Sequence, residues 1–363
     1  MDQFEIALIR EEDLPAVADF LATSEAAREA KANVSSSSKE RILQQLRWRL
    51  LENPAYRADS VGHCLRSATG TIVGLSLSIP YWFCLEGKRL RGLCGASFFV
   101  EAPARMQGFF LFRRFLRSDG VDFLFATTCN ASAGALWKKL GGQAVPNSDC
   151  RWTLILHAAP VAEELALRKN AGKAIVALSR MTGHLAAPLL APRKKQPFVS
   201  LRPCRDWDRL ASLAVQHRDP NVLTCERSAE HLAWRYERSP ALERHEIYEF
   251  MGPDGSFGWL AVGRQPNSGI KKQLRNYAIL DVVKATNRAN GDSLLNALVE
   301  LYADRADCIE VPAPIATHSS LGRPRLWKRP NAFAVAYVNG KGQTGRSLAE
   351  VIDLFPADGD STD

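Results

Sequence analysis

Two landmarks of this chain recur in its second half, in the order in which they occur in the first. Leu46-Arg47-Trp48-Arg49-Leu50-Leu51-Glu52-Asn53-Pro54-Ala55 is echoed by Leu232-Ala233-Trp234-Arg235-Tyr236-Glu237-Arg238-Ser239-Pro240-Ala241. The stretch Val100 to Phe110 is echoed by Val283 to Ser293, with Val, Arg and Gly in the same register. Trp48 and Trp234 lie 186 residues apart, and Arg105 and Arg288 lie 183 apart. Nearly one offset for both pairs marks a duplication, so the fold that suits one half has to suit the other. A chain of 363 residues has room for two domains of about 150 to 180 residues each.

The second landmark has a definite local physics. An apolar strand from Leu93 to Val100 feeds into an amphipathic helix beginning near Gln107, and Tyr277 to Val283 does the same ahead of a leucine-rich helix. The first amides of a helix have no partner within it, and together with the macrodipole they favour phosphate oxygens. Gly108 is expected to let a ligand approach the backbone with no Cβ in the way.

The remaining chain reads as strand, helix, helix and three antiparallel strands in each half. Phe4 to Ile9 alternates like a strand, Glu11 opens a helix, and Glu40 to Leu51 is a helix ending before Pro54. Val61 to Ser67, Thr71 to Tyr81 and Lys88 to Val100 are the strands, followed by a helix from Gly108, a strand at Val121 to Thr127 and a helix from Ser132 to Leu140. Residues from about Pro160 to Ala187 read as a basic amphipathic helix, either bridging the halves or lying on a membrane, and Pro188 to Pro197 as a linker. The pattern restarts at Phe198. The expected division is an N-terminal domain over 1–157, helix and linker over 158–197, a C-terminal domain over 198–357 and a disordered tail over 358–363.

Composition narrows the class. Hydrophobic residues make up 46% and charged residues 24%, which suits a globular core. The net charge of +8 biases the surface toward anions such as nucleotides, phosphorylated sugars, acidic lipids or nucleic acid. Eight cysteines stand singly, with no Cys-x-x-Cys and no Cys/His cluster, so neither zinc nor a disulfide framework is signalled and no metal is expected. The N-terminus lacks the basic and apolar regions of a signal peptide, and no apolar run approaches the roughly 20 residues that span a bilayer. A cytoplasmic location and buried free thiols follow as expectations.

This layout, with an Arg-x-x-Gly loop and an Asn-bearing helix, resembles the GNAT superfamily of acyl-CoA N-acyltransferases in tandem over nearly the whole chain. Val100, Arg105 and Gly108 match the family's pyrophosphate loop, with Phe110 at the second small position; Val283, Arg288, Gly291 and Ser293 match it in the second half. Asn130, Leu140 and Gly141 match the next motif in the first half, where Trp137 stands in place of the proton-donating Tyr; only Leu321-Gly322 survives in the second. The resemblance implies an α/β fold of two mixed sheets flanked by helices. It implies acetyl-CoA or another acyl-CoA as co-substrate, and acyl transfer to an amine. Residues Arg105, Met106, Gln107, Gly108, Phe109 and Phe110, or Arg288 to Ser293, would hold the CoA pyrophosphate. The strand ends Phe99 and Val100, or Val282 and Val283, would pair with the pantetheine.

Asp281 and Glu101 are the carboxylates nearest the two loops, each either a general base for the amine or an ordinary satisfied carboxylate. Asn130 is either a pantetheine contact or a helix cap. Trp48, Trp234 and Arg235 either line an acceptor groove or mark a helix end packed on the sheet. The acceptor implied by the resemblance is a small-molecule or glycoconjugate amine, such as an amino sugar or amino-acid conjugate of the cell envelope. Two alternatives stand beside it. One is aminoacyl transfer from aminoacyl-tRNA, the one case in which a nucleic-acid partner is expected and the basic run Arg323 to Arg329 would serve it. The other is a non-catalytic binding protein.

Overall fold

The computed structural model describes residues 4–24, 39–129, 131–185, 200–240, 245–251, 255, 257–268, 274–283, 288–317, 319, 326–330, 333–338 and 351–354. Its strands are β1 (Glu5–Leu8), β2 (Gly62–Arg66), β3 (Ile72–Leu85), β4 (Lys88–Val100), β5 (Phe123–Cys129), β6 (Gln143–Ala144), β7 (Cys150–Ile155) and β8 (Leu201–Pro203). They continue as β9 (Leu223–Cys225), β10 (His245–Met251), β11 (Phe257–Ser268), β12 (Leu274–Val283), β13 (Cys308–Val311), β14 (Leu326–Pro330), β15 (Phe333–Val338) and β16 (Ile352–Asp353). The fold class is the expected one: mixed α/β, with two mixed sheets flanked by helices.

The first sheet runs β1-β2-β3-β4-β5-β15-β6, with β9 against β3 and β16 against β9. The second runs β8-β10-β11-β12-β13-β7-β14. Within these two paths β4–β5 and β12–β13 are the parallel pairs, and their neighbours are antiparallel. The halves therefore repeat one topology, but each sheet holds a strand of the other half. β7 comes from within 1–157 and lies between β13 and β14; β15 comes from within 198–357 and lies between β5 and β6. Cys150 and Phe333, which open these strands, are 183 residues apart, the offset of Arg105 and Arg288. They are one strand of the repeat, traded both ways, so the division into 1–157 and 198–357 follows the repeat and not the sheets.

The first core is built on β3, whose run Ile72-Val73-Gly74-Leu75-Ser76-Leu77-Ser78-Ile79-Pro80-Tyr81-Trp82-Phe83-Cys84-Leu85 is buried along almost its whole length. Pro80 is tolerated because it falls past the β2 ladder, which ends at Leu77, and before the β9 ladder, which begins at Phe83. The helices Leu14–Thr23 and Lys39–Leu46 cover this sheet with Val17, Phe20, Leu21, Ile42 and Leu46. The second core gathers Leu260, Val262, Ile279, Leu294, Leu298 and Tyr302 under the helix Arg288–Leu301.

Two local differences from the sequence expectation matter. The helix expected from Glu40 to Leu51 changes at Arg47 into a π-turn closed by Glu52 N–H to the Arg47 carbonyl, at 3.1 Å. The bridging helix is two helices, Ala158–Arg168 and Lys173–Leu185, because Asn170 takes a positive φ of 53° and ends the first. All eight cysteines are free, six of them buried. The linker expected over Pro188 to Pro197 and the tail expected over 358–363 lie outside the described residues, as do Asn130, Leu321-Gly322 and Arg323 to Arg325.

Candidate functional site

The parallel pair β4–β5 is in register at Gly92–Phe123, Leu93–Leu124 and Cys94–Phe125, and there the ladder ends. β4 runs on to Val100, held on its other edge by β3. The cause is a bulge. Ser78 faces Gly95 and Ser76 faces Phe98, so the β4 segment between holds one residue more than its partner. A bulge bends its strand and increases its twist, which here carries β4 away from β5. At the point of divergence Gly95 faces Phe115, whose ring would stand 3.3 Å from an added Cβ. Beyond it, one backbone edge of β4 has no ladder partner among the described residues. Such an edge can pair with an extended, amide-rich ligand.

The second half repeats the geometry and closes it. The β12–β13 ladder ends at Ala278–Glu310, and Leu280 is the extra residue, since Ala261 faces Asp281 and Val262 faces Ile279. Here the strand end is covered, with Leu280, Asp281 and Val282 buried. In the first half Ser97, Phe99 and Val100 are half-buried, and Phe98 is 40% exposed. The open splay is the one in the first half.

The loops depart from the amide cradle expected of them. Ala102–Gln107 winds into a 3-10 helix that runs directly into the helix Gly108–Leu116. Ala104 N–H donates to the Glu101 carbonyl at 3.0 Å, Gly108 N–H donates to the Arg105 carbonyl, and Pro103 has no N–H to offer. The sequence explains this, since Pro103 suits a helix start and no residue between Ala102 and Gln107 favours a left-handed conformation. Gly108 itself is right-handed helical, at φ −56° and ψ −35°. An added Cβ there would stand 3.4 Å from Val100 and 3.6 Å from Phe98, so this glycine lets the helix lie close on β4 and does not face a ligand. What the loop presents outward is side chains: Arg105 and, on the following helix, Arg113, Arg114, Phe109 and Phe110 are exposed, and Met106 is 84% exposed. Gln107 is half-buried. In the second half Gly291 and Ser293 are buried and Val283 is half-buried; Arg288 opens the helix, and its side chain is outside the described residues.

The carboxylates separate sharply. Asp281 is buried and receives Arg227 in a bidentate pair, Nε to Oδ2 at 2.5 Å and Nη2 to Oδ1 at 2.9 Å. Val282 N–H donates to Oδ1 at 2.9 Å and Tyr236 Oη to Oδ2 at 3.4 Å. With both oxygens engaged, Asp281 is a structural ion-pair partner and is not placed to take a proton from a substrate. Glu101 is half-buried at the end of β4, where its N–H donates to the Val73 carbonyl at 2.9 Å.

The acceptor groove is corrected as well. Trp48, Trp234 and Arg235 are buried where the halves meet, with the indoles stacked at 5.2 Å and the Arg235 guanidinium 5.5 Å from the Trp48 ring. No open face remains for a sugar. His231 sits against the same cluster, 5.3 Å from the Trp234 ring, and burial, reinforced by Arg227 and Arg235, holds its pKa well below the ordinary imidazole value. Burial likewise pushes the Tyr81 phenol up. Trp137 lies in a buried aromatic cluster with Phe112 and Phe115, at 5.3 and 5.7 Å. Sequence reading missed Arg227, which is 54 residues from its partner and carries no local signal.

No family model matches this chain, and no curated protein matches it. Solved structures do. A GCN5-related N-acetyltransferase from Kribbella flavida superposes with a TM-score of 0.53 at 14% identity, covering 93% of this chain and 71% of its own. One from Anabaena variabilis gives 0.56 at 12%, covering 93% and 73%. Saccharomyces cerevisiae N-myristoyltransferase with bound myristoyl-CoA gives 0.54 at 13%, covering 93% and 79%. The fold is that of the GNAT acyl-CoA N-acyltransferases.

Proposed function

We propose that the chain is an N-acyltransferase that carries an acyl-CoA in the open splay between β4 and β5 and passes the acyl group to an amine. The observation that carries this reading is the β4 edge from Gly95 to Val100, which has no ladder partner among the described residues and is half-buried with Phe98 exposed, whereas the equivalent end of β12 is covered at Leu280, Asp281 and Val282. Pantetheine amides would pair along that edge, while Arg105 and its neighbouring arginines, in place of an amide cradle, would meet the pyrophosphate. The neutral amine attacks the thioester carbonyl, the C–N bond forms, and the C–S bond breaks as CoA thiolate leaves. Glu101 takes the amine's proton, directly or through one water, and solvent protonates the thiolate, because Trp137 is buried where the resemblance places a Tyr. Acetyl-CoA is the first donor to try, and amino sugars and amino-acid conjugates are the first acceptors.

The test is a calorimetric titration with acetyl-CoA and then with longer saturated acyl-CoAs, beside the variants Ser97→Trp and Arg105→Glu in the first half and Asp292→Ala in the second. Heat that is lost in the first-half variants and kept in Asp292→Ala supports the assignment. A folded wild type that gives no heat with any acyl-CoA refutes it. The wound loop favours a second reading, a protein that binds the acyl donor without transferring; heat with no CoA release toward any amine would select it.

A further inference from the structure

We propose that the exposed face of the helix Lys173–Leu185 docks on an anionic lipid surface. This helix has a buried side, Val176 and Gly183, set against its neighbour Ala158–Arg168. The contact at Gly183 is close enough that an added Cβ would stand 2.5 Å from the Ala159 Cα, which fixes the rotation of the helix about its axis. The opposite side is apolar and faces water: Ile175 is 58% exposed, Leu178 59%, Met181 64% and Leu185 81%. Their spacing of three, three and four residues lays them along one stripe over the full length of the helix. A helix that only bridged two sheets would turn this stripe inward.

Charge selects the occupant. The helix itself has no carboxylate, and Lys169 at its approach and Lys173, Arg180 and His184 on it are all exposed and basic, the last three along one flank. The acids of the neighbouring helix are turned in and matched: Glu164 receives Arg168 at 2.8 Å with its side chain 8% exposed, and Glu163 lies 3.8 Å from Arg180. An apolar stripe with a basic flank is the form of a helix that lies in the plane of an anionic membrane interface. A second copy of the chain would bring the same basic flank, and four aliphatic side chains are a small contact beside the roughly 800 Å² per partner of a stable dimer.

The experiment is co-sedimentation of the full chain with vesicles of phosphatidylcholine alone and of phosphatidylcholine mixed with phosphatidylglycerol, at low and high salt. Binding is expected to the mixed vesicles only and to weaken with salt. Leu178→Asp and Leu185→Asp should each lower it about tenfold or more, and Lys173→Glu should lower it at low salt. Val215→Asp, at a position 63% exposed on another helix, should leave it unchanged and guards against general stickiness. Unaltered thermal unfolding of the variants shows that the fold is intact. The proposal falls if the wild type ignores anionic vesicles or if the stripe variants bind as well as it does. It also falls if sedimentation shows a wild-type dimer that Leu178→Asp dissociates, which would make the face a contact between copies.

Discussion

Trp48 and Trp234 each donate an indole N–H to the other's backbone carbonyl, both at 2.9 Å, with their rings stacked at 25°. The exchange is symmetric because the two residues are the same position of the repeat. Each stands at the end of a helix, and the π-turn after Leu46 helps set the indole of Trp48 toward the other half. A duplicated chain that folds its halves against each other about an approximate two-fold axis meets itself at equivalent residues, as a symmetric dimer does.

Removing one ring breaks one of the two hydrogen bonds and the ring stack. Trp48→Ala is expected to cost about 3–5 kcal/mol, from the cavity and from leaving the buried Trp234 carbonyl without its indole donor. Trp48→Phe keeps most of the volume and should cost about 1–3 kcal/mol. In urea titrations the double variant Trp48→Phe/Trp234→Phe should lose less than the two single losses added, since the two donors share one site.

Asp281 and Arg227 form a buried pair, and breaking one side strands the other. Asp281→Ala is expected to destabilise by about 3–5 kcal/mol, while Asp281→Leu with Arg227→Met should recover most of that loss. If acyl transfer per folded molecule survives in the double variant, Asp281 is structural. Loss of transfer at unchanged acyl-CoA binding would return it to the role of base.

The histidines make the fold acid-sensitive. Burial, helped by Arg114, lowers the His63 pKa to about 4, and His231 shifts in the same direction. An unfolded chain protonates these rings below its ordinary value near 6.5, while the folded chain does not. The unfolded state therefore binds more protons between about pH 6.5 and about pH 4, and stability falls as pH drops through that window, by at most about 1.4 kcal/mol per pH unit for each histidine. His63→Asn should flatten this fall, read as a smaller change in urea midpoint between about pH 7 and about pH 5. An unchanged slope would mean that His63 titrates normally.

The repeat, the three antiparallel strands of each half and the free thiols were legible in the sequence, because period-two alternation and turn residues act locally. The strand trade was not. Neither Cys150–Ile155 nor Phe333–Val338 is among the strands read from the sequence, and nothing in their residues says which sheet receives them. The bulges at the ends of β4 and β12 add one residue to a strand without changing its composition, so the splay left no sequence mark either. Gly108 looked like a phosphate-loop glycine by its spacing, yet its backbone is helical and its open side faces Val100 and Phe98. Asp281 looked like a candidate base because nothing nearby in sequence announces Arg227. What stayed hidden in each case was a tertiary partner, which the sequence around the residue does not encode.

Because β7 and β15 are exchanged, neither half should fold alone. A fragment ending at residue 185 keeps β7, whose Leu154 and Ile155 are buried between β13 and β14, and lacks β15, whose Val335 and Ala336 complete the first sheet. Left unpaired, β5 and β7 would present apolar edges, a template for aggregation. Expressed separately, fragments 1–185 and 186–363 are expected to be insoluble or to lack cooperative thermal unfolding. Expressed together, they should co-purify as one complex with the circular dichroism of the intact chain, because the break falls in a connection and every ladder can still form. A soluble, cooperatively melting fragment 1–185 would show that the first sheet does not need β15.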